Sequence, residues 1–248
     1  MIYIIPESLA GAIQANGQVQ SLNYQELLDS EIKKGDVIVS NLDDAIRYAN
    51  ENHVTSIFVL EYGYTAQSNK ELFNFFTTKK NIKPLCEALG KKNIYNFERE
   101  DRVTVMNFIF DKERKRVLLQ KRRRPFWGYE PVKGGVEVNE SLRDALSRET
   151  YEECGLKISS ILYEAPEPII YENIDIGMNR IRHVTAYVFA CIADDKSKTS
   201  INEEDAKKVF SGSDWIGINE AESKFVLPRY RLAFEYALNG LRKATKND

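Results

Sequence analysis

Three carboxylates at helical spacing dominate the chemistry open to this chain. Glu149, Glu152 and Glu153 fall at i, i+3 and i+4 within Ser141 to Glu153, where Leu142, Ala145 and Leu146 make an apolar stripe that predicts a helix. The glutamates then share one face, and like charges at those spacings repel. A divalent cation offsets that repulsion, and an oxygen-only ligand set that leaves room for waters and phosphates suits Mg²⁺, with Mn²⁺ as a substitute. Gly134 and Gly135 precede the helix and supply an uncrowded loop whose carbonyls can reach the same ion. An isolated string of such glutamates reads more readily as a solvated acidic face. Here the glycines, Glu140 and Arg148 fall in register with them.

An opposed charge lies just upstream. Residues 112 to 124 hold eight Lys or Arg against Glu113 alone, in a chain whose formal net charge is -2. On a strand, alternation sends Lys121 and Arg123 to one face and Arg122 and Arg124 to the other, so one or two phosphate contacts are expected from the run, Arg122 and Arg124 among them, with Lys133 as a further one. The rest reads as a soluble basic edge. Phe126, Trp127 and Tyr129 lie between this run and the glycines, and Tyr171 follows the helix. Trp127 and Tyr171 are the candidates for stacking a nucleobase, although such aromatics are more often core.

Written out, the motif is Gly134, five residues, Glu140, seven residues, then Arg148-Glu149-Thr150-Tyr151-Glu152-Glu153-Cys154-Gly155-Leu156. It resembles the signature of the Nudix hydrolase family, in seven fixed positions, and the likeness extends over about residues 102–240. The resemblance implies an α/β fold, an α/β/α sandwich with a mixed sheet, and hydrolysis of a phosphoanhydride in a nucleoside diphosphate linked to another group, with water attacking phosphorus. It implies Glu152 and Glu153 as metal ligands, Glu149 as ligand or water-activating base, the Gly134 carbonyl as a further ligand, and a structural Arg148 that orients Glu152 one turn on. Some members carry the base in a late loop, where Glu203 and Glu204 stand here; a solvated acidic loop reads equally well. The chain departs from the family at Thr150, where an aliphatic residue is usual; its hydroxyl needs a partner, such as the carbonyl four residues back.

The words WGYEPVKGGVE look closer to the branch acting on dinucleoside polyphosphates and diphosphoinositol polyphosphates, and Tyr171, sixteen residues after Gly155, is near where the former tend to carry a tyrosine. The proline of ADP-ribose hydrolases is not at its usual place, although Pro166 and Pro168 are close. A small-molecule nucleotide-diphosphate substrate of dinucleoside polyphosphate type is therefore favoured. The alternatives are an ADP-ribose, nucleotide-sugar or nucleoside triphosphate pyrophosphatase, and a non-catalytic ligand-sensing module, which usually loses one of the glutamates.

The elements that must position these residues follow from pattern. With 248 residues the chain is long for one domain, and 43% hydrophobic and 29% charged residues fit a folded soluble protein. Strands are expected at Val103 to Phe110 and Arg116 to Gln120 around the turn DKER, then a last strand at Asp214 to Ile218 and an amphipathic helix. Before them, Ile2 to Ile5, Val37 to Val39 and Ser56 to Leu60 read as strands. Helices open at Asn23, with Glu26 at capping-box spacing, after Asn41, and at Ser68 with Glu71. That alternation predicts a small α/β domain with a parallel sheet over residues 1–97, of unassigned role, ahead of the Nudix-like domain at 98–248. Gly90 to Asp101 reads as the connection. His53 reads as a surface group at a helix end, and His183 as a strand residue.

Cys86, Cys154 and Cys191 show no paired spacing, which argues against disulfides and structural zinc and fits a cytoplasmic location. No eighteen apolar residues run together, so no membrane is expected. A near-neutral chain gives no indication of nucleic acid; association as a homodimer stays open.

Overall fold

The structure, a computed structural model, describes residues 1–10, 18–61, 73–123, 127–175, 178–193 and 199–244. The helix expected at Ser68 and the side chain of Arg124 fall outside these residues. The elements are β1 (Ile2–Ile5), β2 (Val19–Ser21), α1 (Tyr24–Leu28), β3 (Val37–Ser40), α2 (Asp43–Glu51), β4 (Thr55–Leu60), β5 (Phe75–Thr78), α3 (Ile82–Lys91), β6 (Glu98–Phe110), β7 (Arg116–Arg122), β8 (Gly128–Glu130), β9 (Val132–Gly135), α4 (Leu142–Cys154), β10 (Ile158–Glu164), β11 (Ile169–Asp175), β12 (Arg180–Ala193), α5 (Glu204–Val209), β13 (Phe210–Gly217), α6 (Ile218–Ala221) and α7 (Pro228–Ala244). They pack as two compact units.

The first unit takes the described residues up to Glu100 together with Glu172–His183. Its sheet runs β2-β1-β3-β4-β5, and every pair is parallel. β1, β3 and β4 are buried at every position, as a parallel sheet covered on both faces requires. Alternation sorts their side chains. Ile2, Ile4, Val37, Val39, Ile57 and Val59 pack with Ile82, Leu85 and Leu89 of α3, whereas Tyr3, Ile5 and Ile38 pack with Leu27 of α1 and Ala45 and Ala49 of α2. The capping box expected at α1 is present: Glu26 N–H donates to Asn23 Oδ1 at 3.0 Å and Asn23 N–H to Glu26 Oε2 at 2.8 Å. The stretch expected to be a polar connection instead carries the end of α3, and its isolated apolar residues Ile94 and Phe97 are each 3% exposed in this core. Ile174 and Ile181, from the later segment, pack there too.

The second unit takes Asp101–Tyr171 and Val184–Asp248. Its strands run β10-β12-β6-β7-β13, with β8 on β7 and β9 on β6. The expected hairpin is β6 with β7, Ile109 opposite Leu118, and Asp111 Oδ1 closes its turn by accepting from the N–H groups of Lys115 and Arg116. Alternation along β6 gives the sheet two dry faces. Val105 and Ile109 belong to the clusters that hold Ala145, Leu146 and Cys154 of α4. Phe108 and Phe110 point the other way and meet Phe234 of α7, with ring centroids 5.4 and 6.4 Å apart. A sheet between α4 and α7 is the α/β/α sandwich expected.

Thr150 sits on the inner side of α4. Its hydroxyl donates to Leu146 O at 2.7 Å, the carbonyl four residues back, and accepts from Asn107 Nδ2 at 2.9 Å. Asn107 is 1% exposed, and among the described residues its Oδ1 has no partner. Thr150→Val would strand the amide nitrogen as well, so chemical denaturation is expected to show a loss of about 1–3 kcal/mol, recovered in large part by adding Asn107→Leu.

Candidate active site

Helix α4 has defined ends. Ser141 Oγ accepts from Asp144 N–H at 3.1 Å, and Gly155 closes the helix at φ 70°, where a Cβ would lie 2.2 Å from Ser200 Oγ. The last carbonyls are taken up from outside. Ser200 N–H donates to Cys154 O, and the N–H groups of Asn202 and Glu203 donate to Glu152 O at 2.8 and 3.1 Å. Glu203 is thereby brought to the acidic face, close enough that its charge helps raise Glu149.

Arg148 ties the glycine loop to this face. Its Nε and Nη2 donate to the two oxygens of Glu140 at 2.8 and 2.9 Å, Nη2 also to Gly135 O at 2.8 Å, and Nη1 to Glu149 Oε1 at 2.9 Å and Glu152 Oε2 at 3.0 Å. The Arg148 guanidinium, helped by the Glu137 N–H, holds Glu140 at about 2. Strand β9 supplies the facing wall. Gly134 stands opposite Val105, and a Cβ on it would lie 1.7 Å from Glu149 Cδ and 2.0 Å from both carboxyl oxygens, so a larger residue would displace the Glu149 carboxyl. Lys133 N–H donates to Glu153 Oε2 at 3.1 Å.

Burial sets the electrostatics. It pushes Glu149 up, against the pull of Arg148 and with repulsion from Glu152 and Glu203 added. It pushes Glu153, 8% exposed, up to about 8, against Lys133 and with repulsion from Glu149 and Glu130 added. Among the described residues no three His, Cys, Asp or Glu side chains close on a common point, because Arg148 stands between Glu149 and Glu152 and β9 holds Glu153. The donors nonetheless suit a hard divalent cation: they are oxygens only, two are carboxyls that burial and mutual repulsion drive towards protonation, and a glycine is pressed against one of them. Glu149, Glu152 and Glu153, with the Gly134 carbonyl, are the groups that would hold it.

The other candidates divide. Glu204 is exposed and pairs with Lys207 at 2.6 Å. Arg122 turns inward, its Nε 3.0 Å from the buried Glu130 and its guanidinium over Phe210. Lys133 Nζ meets the same Glu130 at 2.7 Å. Trp127 is 53% exposed, and Tyr171 lies under the Arg229 guanidinium, 4.0 Å from its ring centroid. Glu130, Tyr230 and Arg229 were not singled out by sequence. Tyr230 reaches Glu130 across a hundred residues, a pairing without local signal; Glu130 could have been suspected as an acid three residues before Lys133 in an otherwise apolar strand.

A family profile described as NUDIX domain matches residues 100–236, more than half of the chain. The chain belongs to the Nudix hydrolase family. Members generally use divalent metal cations. This Nudix chain is 36% identical over 84 residues to a Schizosaccharomyces pombe protein named NAD-capped RNA hydrolase, covering 34% of this chain and 22% of the relative. It is 34% identical over 89 residues to Nudix hydrolase 19, chloroplastic, of Arabidopsis thaliana, covering 35% and 19%. It thus spans about a fifth of the length of these relatives. Similar solved structures include a MutT protein from Methanosarcina mazei Go1, at TM-score 0.42 and 20% identity over 60% of this chain and 98% of that one. Another is the dihydroneopterin triphosphate pyrophosphohydrolase of E. coli, at 0.42 and 18% over 55% and 95%. Among the described residues no helix is long and apolar enough to cross a membrane.

The raised Glu153 carboxyl predicts a pH-dependent stability. The folded, metal-free protein keeps a proton there up to about 8, whereas an unfolded glutamate loses it near 4.5, so this group's contribution is complete below 4.5 and is lost as pH rises through 8. In chelator, thermal melts are expected to show Glu153→Gln more stable than the parent at pH 8.5 by roughly 2–4 kcal/mol and equal to it near pH 4. Parallel pH trends for the two proteins would rule this origin out.

Proposed function

We propose that this Nudix protein is a metal-dependent hydrolase of a phosphoanhydride in a nucleoside diphosphate derivative, with a dinucleoside polyphosphate-like substrate favoured. The observation that carries this reading is the complete carboxylate set: Glu149, Glu152 and Glu153 are all present, Glu149 against Gly134, Glu149 and Glu152 on the Arg148 guanidinium, and Glu153 on the Lys133 N–H of β9. A ligand-sensing module usually loses one of the glutamates, and this chain has all three. The reading takes Mg²⁺ as the cation, Mn²⁺ as its substitute, the cytoplasm as the compartment and residues 1–97 as a separate domain. When bound, the cation neutralises the diphosphate and makes the attacking water more acidic.

The chain's own residues supply the rest. Glu149, kept basic by burial and by its acidic neighbours, holds or takes the proton of the water. Glu203 is the second carboxylate for that role, since its backbone is tied to α4 while Glu204 is neutralised by Lys207. Lys133 lies beside Glu153 and offers a charge for the phosphate oxygens. Tyr171 under Arg229, and the exposed Trp127, are the aromatic faces for a base. A relative named for NAD-capped RNA supports the same class of diphosphate-linked nucleotide.

The test is a substrate panel with product analysis, run with Mg²⁺: dinucleoside polyphosphates, ADP-ribose, nucleotide sugars, nucleoside triphosphates and diphosphoinositol phosphates. Metal-dependent cleavage is expected, strongest on the first, with Glu152→Gln and Glu153→Gln each lowering turnover by roughly a hundredfold or more. Unchanged turnover in both variants would refute the site; tight binding without turnover would favour the sensing module.

A further inference from the structure

One ion cluster in the second unit lies beside the carboxylates without belonging to them. Glu130, at the end of β8, is fully buried; it accepts from Lys133 Nζ at 2.7 Å and from the Tyr230 hydroxyl at 3.0 Å, and it forms an ion pair with Arg122, whose Nε lies 3.0 Å away. Two cations share this one buried carboxylate, with Glu153 the next acidic charge acting on both. Burying charge is costly, and a core that needed only cohesion would be served by apolar residues of the same volume. Two side chains of the cluster reach the surface, Arg122 at 16% and Lys133 at 19% exposed, and Lys133 is the one whose backbone meets the carboxylates. Among the described residues the Lys133 ammonium donates to Glu130 alone, leaving two of its three N–H groups for a ligand. The same residue, through its main-chain N–H, holds Glu153 at 3.1 Å. Lys133 therefore stands with its backbone on a candidate metal ligand and its head on Glu130, and the ring of Tyr230, 5.9 Å from Nζ, limits where that head can swing.

We infer that Glu130 is a positioning residue for the reaction: anchored by Arg122 and Tyr230, it aims the Lys133 ammonium at the substrate's diphosphate beside the carboxylate cluster. This rests on the function proposed above. Its consequence is that the electrostatic grip on the substrate depends on a carboxylate that does not touch it. A free lysine head samples many rotamers, and fixing it beforehand removes that cost from binding. Glu130 thus acts through Lys133, and removing Lys133 should silence it.

The experiment is a double-mutant cycle on the full chain, with kcat and KM for whichever panel diphosphate the wild type turns over, and melting temperature recorded for each variant. Glu130→Gln and Lys133→Ala are each expected to raise KM about tenfold or more with a smaller change in kcat. The double variant Glu130→Gln/Lys133→Ala should be no worse than Lys133→Ala alone. Additive losses, or an unchanged KM in folded Glu130→Gln, would overturn the inference. Should Glu130→Gln fail to fold, Tyr230→Phe takes its place: it removes one hydrogen bond to Glu130 and keeps the ring, and its rise in KM must vanish in the Lys133→Ala background. A wild-type protein that turns over no diphosphate fails the proposed function; a working wild type with an additive cycle fails this inference only.

Discussion

The Arg148 guanidinium is the interaction on which the site depends. Its planar fork carries donors in fixed directions, and here they reach Glu140 and Gly135 on the loop and Glu149 and Glu152 on α4. One cation thereby fixes the loop to the helix and screens two glutamates that would otherwise repel along the helix face. A lysine, with a single charged head, could not reproduce that set of directions. Because Glu140 is held firmly ionised, the anchor of Arg148 does not weaken in the ordinary pH range.

What Arg148 does not neutralise gives the site its chemistry. Glu149 is pressed on Gly134, and among the described residues the buried Glu153 carboxyl has only the Lys133 N–H of β9 as hydrogen-bond partner. Desolvation raises both carboxyls, Glu153 to about 8. A bound divalent cation would reverse this penalty, and a diphosphate would bring the charge that such a cation needs. On the far side of Glu153 the balance is opposite, with Lys133 and Arg122 outnumbering Glu130. An electron-rich cluster and a cationic one thus meet at Lys133, whose backbone serves the first and whose side chain serves the second.

Much of this was legible in the sequence, for physical reasons. Helix α4 declares itself by Ser141, the Leu142, Ala145 and Leu146 stripe and Gly155, all local signals. The hairpin β6–β7 and the fully buried strands β1, β3 and β4 follow from short apolar runs between turn residues. The short strands β2 and β5 escaped because VQS and FFTT carry too little pattern, and Ile94 and Phe97 looked like parts of a linker because single apolar residues do not reveal what core they reach. In the site, spacing placed the glutamates on one face, but not Arg148 between two of them. Nor could strand alternation tell that Arg122 turns to a buried acid, since Glu130 and Tyr230 meet only through the fold.

The central claim is that these carboxylates hold a divalent cation. Anomalous diffraction from crystals soaked in Mn²⁺ tests it most directly. The account predicts a peak within coordinating distance of carboxylate oxygens from Glu149, Glu152 and Glu153 and of the Gly134 carbonyl, with Arg148 retaining Glu140. Mn²⁺ bound elsewhere, with Glu149 and Glu152 still closed on Arg148, would contradict it.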